Sequence, residues 1–346
     1  MYSRKKMKML LAPFYFLYQA GAVFRNLLYD WHLRPVYRPP LPVISVGNIS
    51  FGGSEKTPLA RFLLHFFFDL GFKPALISRG YQGRWEKTGG VVSDGHLLRA
   101  SWEEAGDEPF MIAQEFPAAG VFVGRHRFLS CQKAHELGFN LAVLDDGFQH
   151  RQLARDIDIV LFSSQQFPFA RREPLSSLRR ADIILFRKFS DQTSANQSSD
   201  HPGEKLRKKF SHQKIFDYEV LPAGFFNLAD DSPCSLESLR PQRIIAFSGI
   251  AAPQRFFSLL RQEGLQVVDT LSFPDHFSYP SSAIAKIIKI FREKQADCLC
   301  TTEKDAIKLA QRSQINQLPV VYLKIKLKVD QQFSQQLVQI VQSWPR

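Results

Sequence analysis

Short apolar runs that barely alternate with polar residues set the tightest limit on how this chain can fold. PVISV (42–46), PALI (74–77), GVFV (120–123), LAVL (141–144), IDIVLF (157–162) and IILF (183–186) all have strand length and almost no polar face. Strands of this kind are covered on both sides, as in a parallel sheet between helical layers. Helix-like segments separate them. ARFLLHFFFDLG is apolar around most of its circumference and closed by Gly71, which suits a buried helix with a glycine cap. The expectation is an α/β fold with a mostly parallel sheet sandwiched by helices.

Residues 190–214 are polar and read as a surface excursion or a connection between domains. Strands resume at IFDYEVL and RIIAFSGI. Then come the helical RFFSLLRQEG, the strand QVVDTL, the helical SSAIAKIIKIFREK, the strands DCLCTT and PVVYLKI, and a closing helix. This is a second, smaller α/β domain. The expected division is an entry segment over 1–40, a first domain over 41–213, a second over 214–325 and a C-terminal helix over 326–346. No internal repeat of solenoid period occurs.

With 346 residues, 45% hydrophobic and 23% charged, the chain can bury a large core, and disorder of the whole is excluded. The net charge of +12 points to an anionic partner. The basic residues are spread along the chain with no nucleic-acid module, so nucleic acid is not expected, and no protein partner can be inferred. The four scattered cysteines read as buried, reduced side chains; alternation places Cys298 and Cys300 on one face of a strand. At the N-terminus Arg4, Lys5, Lys6 and Lys8 precede MLLAPFYFLYQAGAVF, followed by Arg25. This run is shorter than the roughly 20 apolar residues of a transmembrane helix and carries Pro13 and Gln19. It reads as a helix or broken helix in the membrane interface, with cations toward anionic headgroups and Leu10, Phe14, Phe16 and Leu17 toward lipid. A first helix packed on the protein's own core is the alternative.

VGNISFGGSEKTPLARF (46–62) has the layout of a phosphate-binding loop: a strand, small residues, Lys56-Thr57, and a helix opened by Pro58. Gly52, Gly53 and Ser54 let the backbone approach phosphates. Lys56 supplies charge, Thr57 a hydroxyl for Mg²⁺, and the helix its positive end. ATP and Mg²⁺ are the expected cofactors. Ser50 and Glu55 stand where the usual pattern has glycines. A carboxylate at position 55 would repel a phosphate by about 4 kcal/mol at about 4 Å if the effective dielectric is about 20. Turned outward, it would cost far less.

LAVLDDGFQHR ends a strand on Asp145-Asp146, at the carboxyl edge where open α/β sheets bind ligands. The pair reads as a metal site or as carboxylates capping the turn before Gly147; both readings stand here. In AGDEPF, Asp107 reads as an N-cap with Pro109 in the first turn, or as a site residue. His276 of FPDHFSY decides nothing by itself.

Taken in order, VGNISFGGSEKTP, ISRGY, AGDEP, LDDGFQH, FSGIAAPQRFF, FPDHFSY and TTEKDAIK resemble the tetraacyldisaccharide 4'-kinases, the lipid A 4'-kinases of Gram-negative bacteria. The resemblance runs from about Leu10 to Leu323. It implies transfer of the ATP γ-phosphoryl group to the 4'-hydroxyl of an acylated glucosamine disaccharide 1-phosphate. It also implies a peripheral or monotopic enzyme at an anionic membrane surface, the cytoplasmic face of the inner membrane. Lys56 and Thr57 would serve the phosphates and metal, and Asp145 and Asp146 the metal, with Glu173 of RREPL assisting. Asp107 would be the general base and His276 its partner, one in each domain, so that catalysis would need closure. Arg79 and Arg125 or Arg127 could hold phosphates, with a surface or structural role as the equal alternative for each. A P-loop GTPase or metallochaperone is the first rival, although Lys304-Asp305 sits one residue out of register for N/T-K-x-D. A catalytically impaired or non-enzymatic nucleotide-binding membrane protein, marked by Glu55, is the second.

Overall fold

The computed structural model describes residues 2–51, 55–163, 171–188, 202–342 and 344, with the backbone alone for 2–14 and 202. Two compact units emerge. The first comprises Met1–Arg79, His126–Glu219 and Leu327–Arg346, the second Gly80–Arg125 and Val220–Lys326. The strands, in chain order, are β1 Val43–Asn48, β2 Pro74–Ser78, β3 Gly90–Asp94, β4 Gly120–Val123, β5 Leu141–Leu144, β6 Ile157–Phe162 and β7 Ile183–Arg187. They continue as β8 Lys214–Asn227, β9 Pro233–Cys234, β10 Arg243–Ser248, β11 Gln266–Ser272, β12 Cys298–Thr302 and β13 Val320–Val329.

In the first unit the start of β8, then β7, β6, β1, β5 and β2 form a parallel sheet in that order. β1, β2, β5 and β6 are buried at every position, which explains their unbroken apolar runs. The helix Lys56–Asp69 buries Leu59, Ala60, Leu63, Leu64 and Phe67. It ends as the sequence indicates. Gly71 takes φ 86°, its N–H donates to the Phe68 carbonyl at 2.9 Å, and the Phe72 N–H donates to the Phe67 carbonyl at 3.0 Å. The closing helix Gln331–Gln342 belongs to this unit, where its buried Phe333 packs against Phe62 and Phe216. The polar stretch also holds a helix that its composition hid, Pro202–Lys209, which buries Leu206. Residues 189–201 of that stretch lie outside the described residues.

In the second unit β11, β10, β12 and β13 form a parallel sheet, with Phe225 and Phe226 of β8 pairing antiparallel to β9. Cys298 and Cys300 share one core layer and Leu299 enters the opposite one, as strand alternation requires. The unit also takes in residues 80–125, which the sequence places with the first domain. β4 pairs antiparallel with β3, whose Gly-Val-Val-Ser-Asp is too mixed to read as a strand, and helix Asp107–Glu115 packs on helix Glu303–Leu309.

The N-terminal segment is one continuous helix, Tyr2–Asp30, running through Pro13. Among the described residues no helix is long and apolar enough to cross a membrane. Polar contacts hold its second half to the first unit. Gln19 donates to the Arg171 carbonyl at 2.6 Å, and Asn26 donates to Glu173 at 2.9 Å. Glu173 is fully buried and also pairs with Arg25 at 3.2 Å and Arg180 at 2.6 Å. A Glu173→Gln variant is expected to lose about 2 kcal/mol of stability, because the half-buried Arg180 guanidinium loses its charged acceptor. Urea denaturation checks this; an unchanged midpoint would mean that the anchor contributes nothing.

Candidate functional site

In the first unit β5 and β2 lie on one side of β1, and β6 and β7 on the other. The carboxyl end of β1 is therefore a topological switch point, where open α/β sheets bind ligands. Register pairs Ser45 with Leu144, so the loop leaving β5 starts beside Ser45, three residues before β1 ends at Asn48. Gly147 permits this approach: a Cβ there would stand 2.6 Å from the Ser45 hydroxyl oxygen. Gly52, Gly53 and Ser54 lie outside the described residues. Lys56 and Thr57 open the helix, at its positive end.

Lys56 Nζ stands 3.0 Å from Asp146 Oδ1, and Arg172 Nη1 donates to both oxygens of Asp146 at 2.9 and 2.7 Å. Burial opposes ionisation of Asp146, yet the charges of Lys56 and Arg172 win and lower its pKa to about 2. Asp146 also turns the chain, with φ 51°. The metal and turn readings of this pair are thus not exclusive. Asp145 is buried and accepts from the Ser78 hydroxyl at 3.4 Å. Among the described residues no group of three or more His, Cys, Asp or Glu side chains is placed to hold a metal. Glu173 is engaged by Arg25, Asn26 and Arg180, which gives it a role in anchoring the first helix.

Arg79 is exposed and Arg127 buried in the first turn of helix Arg127–Glu136. Both charges reach His150 of the LDDGFQH motif. Burial first, then Arg127, Arg155, His126 and Arg79, push that imidazole down to about 3, so it stays neutral in a cationic setting. Arg125 is in the other unit.

The second unit holds a cluster around Asp107. Here the structure corrects two expectations. Asp107 is not an N-cap: Gly106 holds that position, with φ 87° and a would-be Cβ 2.9 Å from the Tyr81 carbonyl. The Asp107 side chain, 7% exposed, is turned instead to His276 Nδ1 at 3.1 Å and Lys308 Nζ at 2.7 Å. Asp107 and His276 also share one unit, so their meeting needs no closure between units. Residues 80–125 join the later part of the chain, which apolar runs alone do not reveal.

Lys308 is 1% exposed and also donates to the Phe277 carbonyl at 3.1 Å. Lys304 Nζ lies 3.2 Å from His276 Nε2 and 3.2 Å from Glu108. Burial acts against its charge, but Glu108, Asp275 and Asp107 prevail and raise its pKa, so it remains an ammonium group. An ammonium group can only donate. His276 Nε2 therefore accepts, and Nδ1 carries the proton it gives to Asp107. Burial also disfavours the Asp107 carboxylate, yet the His276 hydrogen bond and the Lys308 charge hold its pKa below the ordinary value. The loop presenting the imidazole is constrained: His276 and Tyr279 have φ 60° and 52°. Tyr81 meets the His276 ring edge-on at 5.2 Å.

The GTPase reading does not fit this setting. Asp305 is fully buried and accepts from the Gly249 N–H at 3.0 Å and the Thr302 hydroxyl at 2.7 Å, while Lys304 faces His276. Neither is placed to read a base. Asp305 instead fixes the helix that carries both lysines.

A profile of one family, described as LpxK, tetraacyldisaccharide-1-P 4'-kinase, matches residues 7–342. The chain belongs to this tetraacyldisaccharide 4'-kinase family. It is 37% identical to the tetraacyldisaccharide 4'-kinase of Syntrophus aciditrophicus, with 96% of this chain and 92% of that protein covered. The same-named protein of Chlorobium phaeovibrioides is 36% identical, covering 94% and 95%. Among solved structures, an Aquifex aeolicus LpxK in complex with ATP superposes with a TM-score of 0.73 at 30% identity, covering 96% of this chain and 99% of that one. The family motifs include the lysines of TTEKDAIK, but their chemistry is visible only in the fold. Nothing local distinguishes Lys308, Arg172 and His150 from surface charges, and Lys304 is marked in the sequence only by its near-match to N/T-K-x-D.

Proposed function

We infer that this chain is an ATP-dependent lipid kinase of lipid A biosynthesis, transferring the γ-phosphoryl group to the 4'-hydroxyl of tetraacyldisaccharide 1-phosphate. The observation that carries the reading is Asp107, a buried carboxylate held ionised by Lys308 and oriented by a hydrogen bond from His276. That is the state a general base toward a sugar hydroxyl requires. The hydroxyl oxygen bonds to the γ-phosphorus as the bond to the ADP oxygen breaks, and Asp107 takes the proton. His276 fixes the carboxylate's direction. Because Lys304 occupies its second nitrogen, the imidazole is a positioning group rather than the final proton acceptor.

Lys56 and the start of its helix face the donor phosphates, and Arg79 and Arg127 are candidates for further phosphate contacts. The Thr57 hydroxyl with the Asp145 and Asp146 carboxylates is an all-oxygen set that fits Mg²⁺. Bound with ATP, Mg²⁺ would neutralise charge that develops on the phosphoryl oxygens. On the first helix Phe16 and Leu17 are 64% and 72% exposed, and Phe24 is 60% exposed. This apolar face supports peripheral attachment at the cytoplasmic face of the inner membrane, where anionic lipid suits the net charge of +12. Leu10 and Phe14, assigned to the same face, have side chains outside the described set.

The test is transfer of label from γ-³²P-ATP to tetraacyldisaccharide 1-phosphate in detergent micelles with Mg²⁺. Label in the lipid is expected with the wild-type chain. ATP binding without any labelled lipid would remove the substrate assignment.

A further inference from the structure

Glu55 stands directly before Lys56 with φ 55° and ψ 28°, a left-handed conformation that a glycine adopts without strain. Its carboxylate does not cap the helix it precedes. It pairs with the Arg187 guanidinium and accepts from the Tyr218 hydroxyl at 3.3 Å. Arg187 and Tyr218 are register partners on adjacent parallel strands, β7 and β8, so the two donors stand side by side. All three groups are withdrawn from water: the Glu55 and Arg187 side chains are 11% and 12% exposed, and Tyr218 is 2% exposed.

A carboxylate at this place repels a polyphosphate unless something neutralises and redirects it. We propose that Arg187, assisted by Tyr218, is the counter-charge that makes a glutamate compatible with ATP binding in this loop. Arg187 is thus a positioning residue that acts on the nucleotide through Glu55. The pairing is a property of this chain's own loop, and the proposal rests on ATP being the donor. Its signature is conditional. Arg187 matters only while Glu55 is present.

The test is a double-mutant cycle on the full-length enzyme: wild type, Glu55→Gly, Arg187→Ala and the double variant, with Arg187→Lys as a charge-preserving control. Affinity for a non-hydrolysable ATP analogue with Mg²⁺ is measured by calorimetry, and kcat and KM for ATP by label transfer. Arg187→Ala is expected to weaken analogue binding at least tenfold and to raise KM for ATP while kcat changes less. Glu55→Gly, the double variant and Arg187→Lys are expected to stay within about threefold of wild type. A double variant as weak as Arg187→Ala would overturn the proposal, because Arg187 would then contact phosphate itself or support the fold. An Arg187→Ala variant that binds as wild type would overturn it equally. If Arg187→Ala does not fold, a folded double variant with near-normal affinity still supports the coupling, and one that also fails to fold overturns it. If the wild type binds no ATP analogue, the kinase reading falls and this inference with it; a cycle without coupling removes the inference alone.

Discussion

Replacing Asp107 with asparagine should lower phosphoryl transfer to the lipid by about three orders of magnitude, within the range that general-base groups contribute. The substitution keeps side-chain size, and the amide oxygen can still accept from Lys308 and His276. What it removes is the capacity to take the hydroxyl proton. Because Asp107 is assigned to the sugar hydroxyl, and Lys56 and Thr57 to the nucleotide, KM for ATP should change little. Single-turnover label transfer measured beside ATP affinity separates the two effects. Retained transfer, or a loss confined to ATP affinity, would strip Asp107 of its role.

Lys308→Met should change the pH dependence of the reaction and not only its rate. In the wild type burial raises the Asp107 pKa, but His276 and Lys308 outweigh it, so the carboxylate ionises below its ordinary range. The base is therefore active above that lowered pKa, and activity is lost as pH falls through it. The same group contributes stability that is present above its unfolded pKa of about 3.9 and is lost as pH falls through the folded value. Without the ammonium group 2.7 Å away, burial and the hydrogen bond from His276 remain, with Lys304, Glu108 and Asp275 as the neighbouring charges. The acid limb of kcat/KM should then move up by about one unit or more, equivalent to roughly 1.4 kcal/mol per unit. Activity at low pH should fall more than tenfold and recover in part at high pH, and Lys308→Arg should preserve most of the profile. A uniform loss at every pH would assign Lys308 to packing alone.

Several elements were legible because local chemistry decides them. Apolar runs buried on both faces can only be covered strands, so β4, β5 and β6 fall where their residues indicate, and β1, β2 and β7 differ by one or two residues at their ends. Gly71 ends its helix because the left-handed cap carries little strain in glycine. Lys56-Thr57 after a strand and Asp145-Asp146 at the end of another are likewise local patterns, and parallel strands bring their carboxyl ends to one edge.

Other features depend on partners far away in the chain. From its neighbours Asp107 reads as either an N-cap or a site residue, but Gly106 takes the cap position and Lys308, about two hundred residues later, claims the carboxylate. Residues 80–125 join the later half of the chain because their helix packs on Glu303–Leu309, a pairing that no local pattern encodes. Glu55 looks like damage to a phosphate-binding loop until Arg187 and Tyr218 are seen to hold it. By itself the sequence determined the apolar strands, the nucleotide-loop layout and the family, since these rest on burial periodicity and short motifs. Only the tertiary structure decided which charges are paired, and so which residues are poised for chemistry, because a charge's energy depends on neighbours in space and not on those in sequence.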